Sequence, residues 1–281
     1  MRWLVAGANG MLGQDLVALL SERGHWVRGI DRAEVDITDP AATAQVADGY
    51  DVVVNCAAYT AVDAAEADES TAFAVNAVGP ALLARAARAA GARIVQISTD
   101  YVFDGAASEP YGEDAPLAPR SAYGRTKAAG EWAVRAEAPD HLIVRTAWLY
   151  GAHGPCFPKT IARVAAEKGG LDVVDDQVGQ PTWTRDLADL VERLVDSRAH
   201  AGTYHGTSEG QTSWHGFAQA IVAAAGMDPA IVRATTSESF VRPAPRPAYS
   251  VLGHGALLRS STPAITGWSE RWTVAAPTVL A

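Results

Sequence analysis

Residues 2–20 read RWLVAGANGMLGQDLVALL. Arg2–Ala6 is a short apolar run that stops at glycine, and from residue 11 the leucines fall at Leu12, Leu16, Leu19 and Leu20, one face of a helix. Between strand and helix lies Gly7-Ala8-Asn9-Gly10-Met11-Leu12-Gly13. A glycine turn in this position allows a tight bend, close backbone approach to a pyrophosphate and tight packing of helix on strand. The helix N-terminus then offers unpaired N–H groups to an anion. The spacing is G-x-x-G-x-x-G, so Gly7, Asn9, Gly10, Met11, Leu12 and Gly13 are candidate cofactor contacts.

Outward from this stretch, strand and helix patterns alternate. WVRGID ends at Asp31, DVVVN covers 51–55, ARIVQIS covers 92–98 and HLIVRT covers 141–146. Helical patterns run over 66–90, closing at Gly91, and from about 121 to 136. This alternation predicts βαβ units on a parallel sheet covered on both faces. After Tyr150 the rhythm changes: a loop, a helix near 159–168, a strand at LDVVDD, an amphipathic helix over 185–197 and an ordered proline-containing stretch over 237–258. The expected architecture is α/β, a Rossmann-like doubly wound parallel sheet with a smaller interleaved C-terminal substrate domain. The dinucleotide part would take 1–148 and about 181–208, and the substrate part about 149–180 and 209–281.

Composition narrows the partners. The 281 residues are 48% hydrophobic and carry a net charge of −9, which argues against a nucleic-acid backbone or an anionic membrane as partner. No apolar run approaches the ~20 residues of a membrane span. The N-terminal stretch turns into glycines rather than a signal-cleavage site, so a cytoplasmic protein is expected. With two cysteines, Cys56 and Cys156, there is no disulfide framework. Only three of the 23 basic residues are lysines, namely Lys127, Lys159 and Lys168.

One of those three sits in Tyr123-Gly124-Arg125-Thr126-Lys127. Four residues apart on a helix, Tyr123 and Lys127 share a face. A nearby ammonium eases proton transfer by a phenol whose ordinary pKa is ~10. The strand before it runs out into Thr99, Asp100, Tyr101 and Val102, at the sheet edge where open α/β folds place their sites. Asn55-Cys56-Ala57-Ala58-Tyr59 offers small residues that let a flat ring pass. Asp31 favours a free ribose and NADH, whereas Arg32 beside it favours a 2′-phosphate and NADPH, so both cofactors stay open. Asp36-Ile37 is either an adenine contact or an Asx turn before Pro40.

NCAAYTAVDAAE at 55–66, STDYVFDG at 98–105, YGRTKAAGE at 123–131, VRTAWLYG at 144–151, VVDDQVGQPTW at 173–183 and RPAPRP at 242–247 together resemble the extended short-chain dehydrogenase/reductase superfamily, and within it the dTDP-4-dehydrorhamnose reductase family. The resemblance implies that Gly7, Gly10 and Gly13 hold the pyrophosphate, and that Asp31, Asp36, Ala57, Ala58 and Tyr59 line the cofactor. Thr99, Tyr123 and Lys127 would be catalytic, with Lys127 on the nicotinamide ribose. Asp100 and Trp148 would face a dTDP-sugar and Arg246 its diphosphate. The implied reaction is NAD(P)H-dependent reduction of the C4 ketone of dTDP-4-dehydro-L-rhamnose, by a monomer or homodimer. The alternatives are reduction of another dTDP-4-ketosugar (deoxysugar or streptose-type), a non-catalytic dinucleotide-binding regulatory subunit, or an epimerase. Cys156 departs from the small polar or Asn residue expected before Phe157. Some relatives bind Mg²⁺ through carboxylates. Asp15 on the first helix could match one such ligand and the others are not placed, which leaves Mg²⁺ possible but unsupported.

Overall fold

The computed structural model describes all residues, 1–281. The chain runs β1 (Arg2–Ala6), α1 (Met11–Glu22), β2 (Trp26–Ile30), β3 (Val52–Asn55), α2 (Gly79–Ala90), β4 (Arg93–Thr99), α3 (Ala122–Glu137) and β5 (His141–Thr146). It continues through α4 (Phe157–Lys168), β6 (Leu171–Val174), α5 (Thr184–Asp196), β7 (Gly202–His205), α6 (Trp214–Ala224), β8 (Val232–Thr235) and α7 (Trp268–Val279).

Six strands form one parallel sheet in the order β7-β5-β4-β3-β1-β2. The chain moves outward from β1 to β2 and then crosses back to β3, so the order reverses at β1, and a cleft opens beyond the strand C-termini there. Side-chain alternation splits the core between the two faces. Trp3, Val5, Val52 and Val54 pack with leucines of α1 and α5 on one face. Leu4, Ala6 and Val53 pack with Leu83, Ala84 and Val134 of α2 and α3 on the other. The expected fold class is therefore the observed one. No helix is long and apolar enough to cross a membrane.

The predicted helix over 66–90 is not one regular α-helix. Glu69–Phe73 is α-helical, Ala74–Val78 is a π-helical turn, and only then does α2 begin, ending at left-handed Gly91. Besides short helices such as Gly255–Arg259, two long ones had no counterpart in the sequence reading, α6 and α7. Both pack into a third core of Tyr150, Phe217, Ile221 and Trp272 with α4, beside the two-stranded parallel pair β6–β8. Their buried faces mix aromatic, alanine and β-branched residues, Phe217, Ala218, Ile221 and Val222 on α6 and Trp272, Ala275, Ala276 and Val279 on α7. Cys56 and Cys156 are both free thiols.

Candidate active site

A cavity of 1830 Å³ runs from the glycine turn, past the C-termini of β3 and β4, to α4, β6 and the 240–250 loop. A single-ligand cleft is typically ~300–1,000 Å³, so this one has room for two ligands end to end.

At the first end, Gly7 is left-handed at φ 76°, and a Cβ on it would stand 2.6 Å from the Ala57 nitrogen. A Cβ on Gly13 would stand 2.2 Å from the Gly7 carbonyl oxygen. The loop is thus a cradle of backbone with no space for side chains, which fits a pyrophosphate at the start of α1. Asn9, Gly10, Met11 and Leu12 line the same end. The Asn9 amide donates to Asp31 Oδ2 at 2.8 Å, so Asp31 braces the loop as well as facing the cavity. Of the two readings, the Asx turn at Asp36 is the one the structure shows. Asp36 accepts from the Thr38 amide at 2.9 Å and the Thr38 hydroxyl at 2.7 Å, and with Ile37 it lines the cavity. Those bonds hold its carboxyl below the usual range. Arg32 is 88% exposed, with Asp36 Oδ2 at 3.6 Å from its Nε.

In the middle, Ala57, Ala58 and Tyr59 form one wall. Asn76, in the π-turn, accepts from the Tyr59 amide at 2.8 Å, donates to the Tyr59 carbonyl at 3.1 Å and donates to Thr126 Oγ1 at 3.1 Å. It ties that wall to the helix bearing Tyr123 and Lys127. Sequence reasoning missed it, although a lone Asn inside an alanine-rich helix was the available signal.

Opposite stands α3, capped by Ser121, whose hydroxyl accepts from the Gly124 amide at 3.1 Å. Lys127 is 4% exposed and Nζ donates to the Ile97 carbonyl at 2.6 Å. Burial lowers its pKa to about 8, with Glu131 and Cys56 pulling the other way. Burial pushes the Tyr123 phenol up to about 12, the Thr99 hydroxyl offsetting part of this, so the phenol is protonated at neutral pH. Thr99 donates to Asp100 Oδ1 at 2.9 Å. Asp100 Oδ2 and the Thr146 hydroxyl are buried, line the cavity and have no hydrogen-bond partner. Burial raises the Asp100 carboxyl to about 6. Tyr101 also lines the cavity and meets the Tyr123 ring edge-on at 5.5 Å. Val102 does not reach it. Its side chain is buried with Phe103, Ala128 and Leu252, because the chain turns into a 3₁₀ helix after Thr99.

At the far end, Trp148 lines the cavity with a left-handed backbone, φ 47°, unusual for a bulky residue. Its indole stacks on Trp214 at 3.5 Å and 7°. Arg246 lines the wall, with Nη2 2.9 Å from Asp63 Oδ2. Lys168, Arg233 and Arg242 also line this end. Arg233 is paired with Asp172 at 2.7 Å, while Lys168 and Arg242 make no ion pair. These cations come from separate elements, which is why spacing did not single them out. The Cys156 thiol turns away into the third core, 3.7 Å from the Gly151 carbonyl, so it is Phe157 that faces the cavity. Asp15 accepts from the Thr184 hydroxyl and belongs to no cluster of metal-ligating side chains.

A doubly wound sheet with a glycine cradle at its switch point and a Tyr/Lys helix beside it defines a dinucleotide-dependent oxidoreductase of the short-chain type. The family model described as the RmlD substrate binding domain matches residues 1–278. A dTDP-4-dehydrorhamnose reductase of Streptomyces griseus is 48% identical, covering 98% of this chain and 93% of its own. A dTDP-4-keto-6-deoxy-D-glucose reductase of Streptomyces niveus is 46% identical, covering 98% and 96%. The crystal structure of the Bacillus anthracis dTDP-4-dehydrorhamnose reductase in complex with NADP superposes with a TM-score of 0.94 at 36% identity, covering 98% of each chain. The chain belongs to the dTDP-4-dehydrorhamnose reductase family of oxidoreductases.

Proposed function

We propose that the protein reduces the C4 ketone of dTDP-4-dehydro-L-rhamnose to give dTDP-L-rhamnose, using NADPH or NADH. The observation that carries this reading is one continuous cavity, with a backbone anion cradle at one end, Thr99, Tyr123 and Lys127 in the middle and unpaired Lys168 and Arg242 at the other. Residues 1–148 and about 181–208 would hold the cofactor, and about 149–180 and 209–281 the sugar nucleotide.

When bound, the reduced nicotinamide supplies hydride to the sugar C4. Tyr123, kept protonated by its burial, gives its proton to the developing alkoxide. The Thr99 hydroxyl, which donates to Asp100 Oδ1, turns its proton to that oxygen and holds it beside the phenol. Lys127 spends one N–H on the Ile97 carbonyl, leaving the others for the nicotinamide ribose and the charge left on Tyr123. Asp100 Oδ2 and Thr146 Oγ1, buried and unbonded, take the sugar hydroxyls. Trp148 packs against the sugar, and Lys168 and Arg242 meet the diphosphate. Arg246 reaches the diphosphate only beside its Asp63 partner, so its attraction is partly neutralised. Exposed Arg32 meets a 2′-phosphate by leaving its 3.6 Å pairing with Asp36. The protein is proposed to work as a monomer or homodimer. The working compartment is proposed to be the cytoplasm.

The test is NADPH and NADH oxidation with dTDP-4-dehydrorhamnose, beside Tyr123→Phe. The variant should bind NADPH like the wild type and lose roughly 10²–10⁴-fold in kcat. Wild-type turnover by Tyr123→Phe would remove the assignment. A second reading keeps the chemistry and changes the sugar, since the 46% identical relative is a dTDP-4-keto-6-deoxy-D-glucose reductase. Comparing kcat/KM across dTDP-4-ketosugars decides between them.

A further inference from the structure

The helix bearing Tyr123 and Lys127 presents a third group at the same spacing. Glu131 follows Lys127 by four residues, so the three side chains form one stripe. Successive residues of β4 receive it. Lys127 Nζ donates to the Ile97 carbonyl at 2.6 Å, the Ser98 hydroxyl donates to Glu131 Oε1 at 2.6 Å, and Thr99 comes next.

Glu131 is fully buried and Arg145, opposite Ser98 in the sheet register, is 1% exposed. Arg145 donates through Nε and Nη2 to the two carboxylate oxygens, each at 2.8 Å. Its Nη1 donates to the Glu113 carbonyl at 3.0 Å and to His205 Nε2 at 3.3 Å. His205 Nδ1 in turn faces the Gly253 carbonyl at 2.7 Å, which fixes the tautomer with its proton on Nδ1. Arg135 reaches Glu131 Oε2 at 3.1 Å. For stability alone, a well-packed apolar pair of similar volume commonly serves as well as a buried ion pair. The pair therefore asks for another explanation, and the nearest chemistry is Lys127.

We propose that Glu131, locked by Arg145 and Ser98, is a positioning residue that keeps the buried Lys127 amine charged and seated on the Ile97 carbonyl. This rests on the role given to Lys127 above. Lys127 is faced by Tyr123 and Glu131 from its own helix and by Cys56 beyond β3. Glu131 is faced by Arg145 from β5, Ser98 from β4 and Arg135 from its own helix. His205, on β7, is buried and neutral. Glu131 is thus the carboxylate that opposes the desolvation of Lys127. Burial alone would raise the Glu131 carboxyl, but Arg145 and Ser98 more than offset it, so the counter-charge persists at neutral pH.

NADPH oxidation with dTDP-4-dehydrorhamnose, followed across pH, is the experiment. Wild-type activity falls on the alkaline side as Lys127 loses its proton. Glu131→Gln should move that limb down by about one pH unit or more, as loss of a nearby opposite charge does, and lower kcat with little change in KM. Glu131→Asp, which keeps the charge, should return the limb to its wild-type place. The double variant Glu131→Leu/Arg145→Met removes both charges together; it should melt as a folded protein and still show the lowered limb. An unmoved limb in either folded variant overturns the proposal. A wild type that turned over no substrate would instead sink the reading of the reaction. The limb would then be read from NADPH binding, which titrates with the same amine.

Discussion

The two halves of the molecule are held together by different means. The sheet half is a six-stranded parallel sheet whose two cores are mainly Val, Leu, Ile and Ala from its strands and the helices on its faces. The C-terminal half has only strand pairs and is centred on Phe217. Tyr150, Phe157, Trp268 and Trp272 surround that ring at centroid distances of 5.4–6.0 Å, drawn from widely separated parts of the chain. The first is held by continuous backbone hydrogen bonding, the second by side-chain packing between distant segments.

Three substitutions probe this division, in order of their expected effect at neutral pH. Phe217→Ala removes the hub of the ring cluster and should cost about 3–5 kcal/mol. Denaturant melts would show this. NADPH titration should show cofactor affinity changed far less than substrate KM; equal losses would mean that the halves are one cooperative unit. Arg242→Gln removes an unpaired cavity cation and should raise substrate KM about tenfold, some 1.4 kcal/mol, with cofactor affinity unchanged. An unchanged KM would move the diphosphate away from this end.

His205→Gln probes the sheet half through pH. Burial, with Arg145 beside it, lowers the folded-state pKa of His205 to about 3 from 6.5. The unfolded chain therefore binds more protons between those values, and stability falls as pH drops through that window, by at most ~1.4 kcal/mol per unit. The variant should flatten this acid-side loss, seen as Tm converging with the wild type on acidification. Parallel Tm curves would mean that His205 is not a proton-linked element of the frame.

The same division governs what could be read from the sequence. The strand at HLIVRT and the helix from Met11 were legible because a strand or an amphipathic helix writes its period into adjacent residues. The glycine cradle and the Tyr123/Lys127 pair were legible because their geometry is local. Asn76 and Lys168 were not, and Thr146 and Arg242 were seen only as members of longer segments, since each reaches the cavity through tertiary packing that no spacing encodes. Val102 failed for the opposite reason: it adjoins the site in sequence, but the 3₁₀ turn after Thr99 points it into the core.

The Trp148–Trp214 stack joins the two halves at the cavity wall, and it has an optical consequence. Two indoles 3.5 Å apart with nearly parallel planes are close enough for their transitions to couple, and a coupled pair twisted in plane is expected to show circular dichroism that neither ring has alone. The junction therefore carries its own label. A few tenths of an ångström of slip between the halves as ligand enters would register as a change in that band, and Trp214→Phe supplies the blank.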